Sequence, residues 1–190
     1  MFSGAAEAAA KAQRQLLLHS SIAGIGILLL LTIVFHNGRN LLLVLANLPF
    51  ALVGGVLAVW LTGLFSQPGE GGLTIGSLVG FVTLFGITTR NSIMMVSHFE
   101  HLVREEGMTW GLETAIRGAS ERLIPILMTA LVTALGLLPL AIGSGEAGRE
   151  IEGPMAIVIL GGLVTSTLLN LLVLPTLALS YGRFRKPPAT

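Results

Sequence analysis

The chain has 190 residues, of which 53% are hydrophobic and 11% charged, with a net charge of +1. Soluble domains carry about 25% charged residues, so the composition points to an integral membrane protein with no room for a large soluble domain beside its helices. The near-neutral balance argues against nucleic acid as a partner. The absence of Cys removes disulfides and thiolate metal sites, and all ten acids are Glu.

In chain order, Ala5–Leu18 is built of good helix formers and runs into an apolar stretch. One helix is expected from about Glu7 to Phe35, membrane-embedded over about 16–35. His36–Asn40 reads as a polar turn. The second span, about 41–64, carries Pro49 near its start and Gly54-Gly55 inside it. Ser66–Gly72 is a loop by its Gly and Pro content. The third span is about 73–97. The fourth, about 123–142, has Pro125 in its expected first turn, where proline is tolerated. Gly143–Gly153 is a polar loop, and the fifth span is about 154–181. Gly76 with Gly80, and Gly24 near Gly26, stand at spacings that let membrane helices approach closely.

Between the third and fourth spans, Leu112, Ala115, Ile116, Ala119 and Leu123 recur at helical spacing, with Glu113, Arg117 and Glu121 on other faces. This pattern predicts a short amphipathic helix on the membrane surface at about 109–121, anchored by Trp110. The fold class is therefore all-α, a polytopic membrane helix bundle of five transmembrane helices plus one short interfacial helix, in a single transmembrane domain. Arg39, Arg104, Arg117, Arg122, Arg183, Arg185 and Lys186 fall on one side of the membrane; Lys11, Arg14 and Arg149 fall on the other. The positive-inside rule puts the larger group, and the C-terminus, in the cytoplasm and the N-terminus outside. An external start to five spans leads to the expectation that earlier spans precede these in a longer chain.

The third span holds one charge, Arg90. A guanidinium inside a span costs about 2.5–3.5 kcal/mol on insertion scales. Arg90 is therefore expected to face other helices and to meet an acid, a carbonyl or water. Thr88, Thr89, Asn91 and Ser92 flank it and can hydrogen-bond, but none can neutralise it.

Three segments together carry a resemblance: Gly86-Ile-Thr-Thr-Arg-Asn-Ser-Ile-Met-Met-Val, then Arg122-Leu-Ile-Pro-Ile-Leu-Met-Thr-Ala-Leu, then Gly161-Gly-Leu-Val-Thr-Ser-Thr-Leu-Leu-Asn-Leu-Leu-Val-Leu-Pro. In order and spacing the chain resembles the last helices, eight to twelve, of the resistance-nodulation-division (RND) efflux permeases, over about Ala5 to Phe184. The closing segment is most like the heavy-metal efflux branch (CzcA/CusA type), while the stretch around Arg90 is similar to the multidrug branch. The resemblance implies a proton-driven antiporter of the bacterial inner membrane. It would work as a homotrimer with a periplasmic adaptor and an outer-membrane channel, and the missing N-terminal half would supply two Asp. It implies proton relay roles for Arg90 and Thr129, with Asn91 bridging helices and Thr89, Ser92 and Arg122 in support. Arg90 stands where the family more often has Lys. The proton is then the coupling ion, with no cofactor.

Plainer roles stand beside these. Arg90 could be a helix-orienting ion pair. The Thr129 hydroxyl could bond its own helix one turn back. Arg122 could cap the cytoplasmic entrance of its helix as a topology determinant rather than gate it. His98 and His101 share a helix face, yet no third firm ligand is evident, so no metal site is expected. Met94 and Met95 read as packing. No nucleophile–His–acid set, phosphate loop or catalytic carboxylate pair stands out, so the chain is not read as an enzyme. The alternatives are a multidrug or lipid exporter of the same superfamily, or a non-transporting membrane scaffold.

Overall fold

The structure, a computed structural model, describes residues 2–34, 38–65, 73–182 and 184. Five helices follow one another: α1 (Phe2–Val34), α2 (Gly38–Phe65), α3 (Ile75–Arg104), α4 (Leu112–Ile142) and α5 (Glu152–Tyr181). Among the described residues, α2 to α5 are long and apolar enough to cross a membrane, and α1 carries the apolar run that begins at Leu16. Residue 35, residues 36–37 of the turn expected at 36–40 and the whole of 66–72 lie outside the described residues, while Gly38, Arg39 and Asn40 of that turn belong to the first turn of α2.

The helix boundaries follow from local chemistry. Thr74 caps α3 by accepting the Ser77 N–H at 3.1 Å, which satisfies one of the orphan donors at a helix start. α3 ends where Gly107 takes φ +72° and Met108 N–H reaches back to Leu102 C=O at 3.1 Å. Glycine is the residue that enters this left-handed region without penalty.

The largest departure from the sequence expectation lies in residues 105–122. No separate interfacial helix forms. α3 runs on to Arg104, residues 105–111 turn, and a single helix runs from Leu112 to Ile142. Pro125 sits well inside α4, not in its first turn. Glu113, Arg117 and Glu121 are exposed, as their place off the apolar stripe predicts, and Arg117 and Glu121 also pair with each other and with groups of α3 and the turn. Trp110 packs inward on Phe99 and Phe184, with ring centroids 5.3 and 4.1 Å away, rather than anchoring a surface helix.

α5 is the hub and packs most extensively on α2, then on α3 and α4. Glycines set these distances. A Cβ at Gly161 would lie 2.4 Å from Ala58 Cβ, and one at Gly76 would meet the Ile151 carbonyl. The Gly76 and Gly80 pair therefore works as its spacing predicted, against the start of α5, whereas Gly24 and Gly26 have nothing within 4 Å. In lipid, such dispersion contacts and interhelical hydrogen bonds replace the hydrophobic effect as the force between helices. Contacts Leu84–Gly162 and Ser92–Asn170 show α3 and α5 parallel, while Gly55–Phe81 and Asn47–Ser92 set α2 antiparallel to α3. The main apolar cluster, Leu43, Val44, Met95, Val96, Phe99, Leu174 and Ala178 among others, fills the end of the bundle where α3 finishes. Among α2 to α5, α4 is the least buried: 6% of its most apolar stretch is buried, against 44% for α5.

Candidate functional site: a polar layer and a charged face on α3

Helix α3 turns its polar residues to two sides. Thr88, Thr89, Asn91 and Ser92 are buried, with Thr88 and Ser92 fully so. Arg90 is exposed, and among the described residues it forms no hydrogen bond or ion pair. The expectation that Arg90 points into this bundle is not met. Residues advance about 100° around a helix, so Arg90 lies about 200° from Ser92 and must leave the face that α2 and α5 cover. The guanidinium thus stands on a face that these five helices leave open.

On the buried side, Asn47 of α2 donates through Nδ2 to Ser92 Oγ at 2.8 Å and to Asn170 Oδ1 of α5 at 2.7 Å. Ser92 Oγ donates to the same Asn170 Oδ1 at 3.1 Å. Three helices are pinned by one amide–hydroxyl–amide cluster. Asn170 Nδ2, Thr88 Oγ1 and Thr167 Oγ1 are buried without a partner. Thr89 satisfies itself on Phe85 C=O at 2.7 Å, and Asn91 is buried without a hydrogen bond among the described residues. Asn47 and Asn170 were not singled out from the sequence. The available signal was a lone Asn in an otherwise apolar run, since a primary amide in lipid needs a partner on another helix.

Thr129 is exposed on α4, and its hydroxyl donates to Pro125 C=O at 2.9 Å, one turn back on its own helix. Thr133 repeats the arrangement on Thr129 C=O at 2.8 Å. Arg122 is half-buried. It donates from Nη2 to His98 Nδ1 at 3.3 Å, while its Nε is buried and unpartnered. The structure thus ties Ser92 into a network and Arg122 to His98, and it leaves Arg90 and Thr129 on uncovered faces. Among the described residues no group of three or more His, Cys, Asp or Glu is placed to hold a metal ion.

A bundle of long apolar helices with a single charge in the apolar stretch of α3 and interhelical amides in its middle defines a multi-pass membrane protein. A family model described as the AcrB/AcrD/AcrF family matches residues 1–180, and the chain belongs to that family. The RND resemblance drawn from the three segments holds. The cobalt-zinc-cadmium resistance protein CzcA of Cupriavidus metallidurans is 44% identical over 152 residues, 80% of this chain and 13% of CzcA. The multidrug resistance protein MdtC of Erwinia tasmaniensis is 39% identical over 160 residues, 84% of this chain and 15% of MdtC. A crystal structure of a heavy metal efflux pump superimposes with a TM-score of 0.73 at 36% identity, covering 92% of this chain and 16% of that one. The chain thus spans only 13% to 15% of the length of these curated relatives.

Proposed function

We propose that this chain is the C-terminal transmembrane domain of a proton-driven efflux transporter of the bacterial inner membrane, exporting heavy-metal cations or small toxic compounds by proton antiport. The observation that carries the reading is Arg90, a permanent cation on an apolar helix, exposed and unpaired among the described residues. A charge so placed in a membrane requires a counter-charge. The relatives' further length is the natural source of one. Arginine keeps its proton in a protein, so Arg90 is not the carrier. It holds a facing carboxylate ionised and loses that hold when the carboxylate protonates, which biases two helix packings. Asn91 and Thr129 line the same relay, with Thr89, Ser92 and Arg122 supporting it. The proton is the coupling ion, and no cofactor takes part. In this reading the N-terminus is periplasmic and the C-terminus cytoplasmic, and the working assembly is a homotrimer with a periplasmic adaptor and an outer-membrane channel.

The relative named for cobalt, zinc and cadmium resistance supports heavy-metal cations as substrates. The relative named for multidrug resistance supports the second reading, a multidrug exporter. The test is export from cells at matched membrane levels of the full-length protein. Arg90→Ala abolishes export while assembly persists, and Arg90→Lys retains part of it. Normal export by Arg90→Ala would falsify the relay role. Export and assembly lost together would favour a helix-orienting ion pair.

A further inference from the structure

A charge cluster at the end of α3 shares only Arg122 with the relay just described. His98, with 11% of its side chain exposed, places Nε2 2.7 Å from Glu121 Oε2 of α4. Its Nδ1 lies 3.3 Å from Arg122 Nη2. The other Glu121 oxygen accepts from Arg117 Nε at 2.9 Å, and Arg117 Nη2 reaches Glu106 of the 105–111 turn at 2.8 Å. The chain Arg122–His98–Glu121–Arg117–Glu106 thus joins α3, the turn and α4.

The ring's proton is assigned by its partners. A guanidinium only donates, so Nδ1 is the acceptor and the neutral ring carries its proton on Nε2, donated to the Glu121 carboxylate. A second proton has one place to go, Nδ1. Once there it faces a donor that cannot accept, and two cations stand at hydrogen-bond distance. The Arg122 contact is lost while the Glu121 contact becomes an ion pair. Arg122 already has a buried, unpartnered Nε, so little else holds it in place. On α3 itself the His101 ring stacks at 6.3 Å and Glu100 is engaged by Asn40 of α2. Arg39 of α2 and Tyr181 of α5, at the same end, are exposed, and neither bonds to the ring. No ionisable group of α1 bonds to it among the described residues.

We propose that His98 is a proton-responsive positioning residue: neutral, it holds Arg122 and with it the start of α4 against α3; protonated, it lets Arg122 go and loosens the α3–α4 junction. Imidazoles as a class change charge between about pH 5 and 8, which sets the two pH values compared below. The proposal goes beyond the transport reading and stands or falls without it.

The test uses the full-length protein in lipid nanodiscs, spin-labelled at the exposed positions Arg104→Cys and Ser120→Cys, with the distance between them measured by pulsed EPR at pH 5.5 and pH 8. The labelled protein is expected to show a longer or broader distribution at pH 5.5. His98→Gln offers a carbonyl to Arg122 and an N–H to Glu121, and should keep the pH 8 distribution at both values. Arg122→Gln removes the clash by another route and should also abolish the response. No pH response in the parent protein, or an undiminished one in either variant, overturns the proposal.

Discussion

The amide cluster between α2, α3 and α5 allows a prediction whose size follows from its geometry. Asn170→Leu keeps the branched shape with somewhat more volume and removes Oδ1, the acceptor of two bonds at 2.7 and 3.1 Å. Two effects mitigate the loss. Ser92 can turn its hydroxyl to a carbonyl of its own helix, and the substitution also removes Nδ2, which is buried without a partner. A buried group left unsatisfied costs about 1–3 kcal/mol, so the net loss should be about 1 kcal/mol. Asn47→Leu is worse, because it strips the donor from both partners and leaves the Asn170 amide with Ser92 alone; about 2 kcal/mol is expected. Couplings between polar side chains on membrane helices average about 0.6 and reach about 1.7 kcal/mol. The shared acceptor places this pair in the upper part of that range. The measurement is a double-mutant cycle on thermal or denaturant unfolding of the protein in detergent. Additive effects of the two substitutions would refute the claim that the three helices are pinned at one point.

Other consequences are smaller. Gly161→Ala would set its Cβ 2.4 Å from Ala58 Cβ and 2.8 Å from the Gly54 carbonyl, where carbon atoms prefer about 3.5–4.0 Å; it should cost about 1–3 kcal/mol in the same unfolding assay. Gly86→Ala, with nothing within 4 Å, should instead gain up to about 1 kcal/mol of helix propensity. Thr129→Val loses only a hydroxyl that bonds its own helix, and should reduce export less than Arg90→Ala in the same cells. In the 143–151 loop, donation from the Gly148 N–H, then the residue's own N–H, holds the Glu150 carboxyl below the usual carboxylate range, with desolvation opposing. A depressed folded value means that this contribution is present above about pH 4.3 and is lost as pH falls through the folded value. Protection of the loop amides, taken as exchange relative to the intrinsic rate at each pH, should fall only on strong acidification, and Glu150→Gln should not show that step.

How much of this was legible depended on range along the chain. Apolar runs bounded by Gly and Pro located the spans, because span length and loop chemistry are local. The expected break near Arg122 does not form because exposed charge does not by itself end a helix: Arg117 and Glu121 stay exposed, pair with each other and with Glu106 and His98, and α4 runs on past them. The amide cluster joins residues 45 and 123 positions apart, and no local pattern states that Asn47 and Asn170 will meet. The outward face of Arg90 was hidden for a related reason. Burial of a single charge could be argued from its cost, but which side of α3 the other helices cover is a matter of packing, and it depends on Gly55 of α2 and Gly162 of α5 as well as on Gly76 and Gly80 of α3 itself.

These findings divide the bundle into a fixed part and a part that can move. α2, α3 and α5 meet at glycine contacts too close for any other residue and share the Asn47–Ser92–Asn170 cluster, so they should shift as one body. α4 has neither device along its apolar length: of its hydrophobic side chains only Ala115 and Ile126 are buried, and its one close glycine, Gly118, packs on Phe99 and Leu102 near its start. Its hold on α3 is therefore concentrated at one end, where His98 meets Glu121 and Arg122. Among α2 to α5, a change at that end acts on the helix with the smallest buried share. Thr129 lies seven residues beyond Arg122, close to two full turns and so on nearly the same face. Rotation or tilt of α4 that begins at Arg122 must carry Thr129 with it, while Arg90 stays fixed with the platform that α2 and α5 provide.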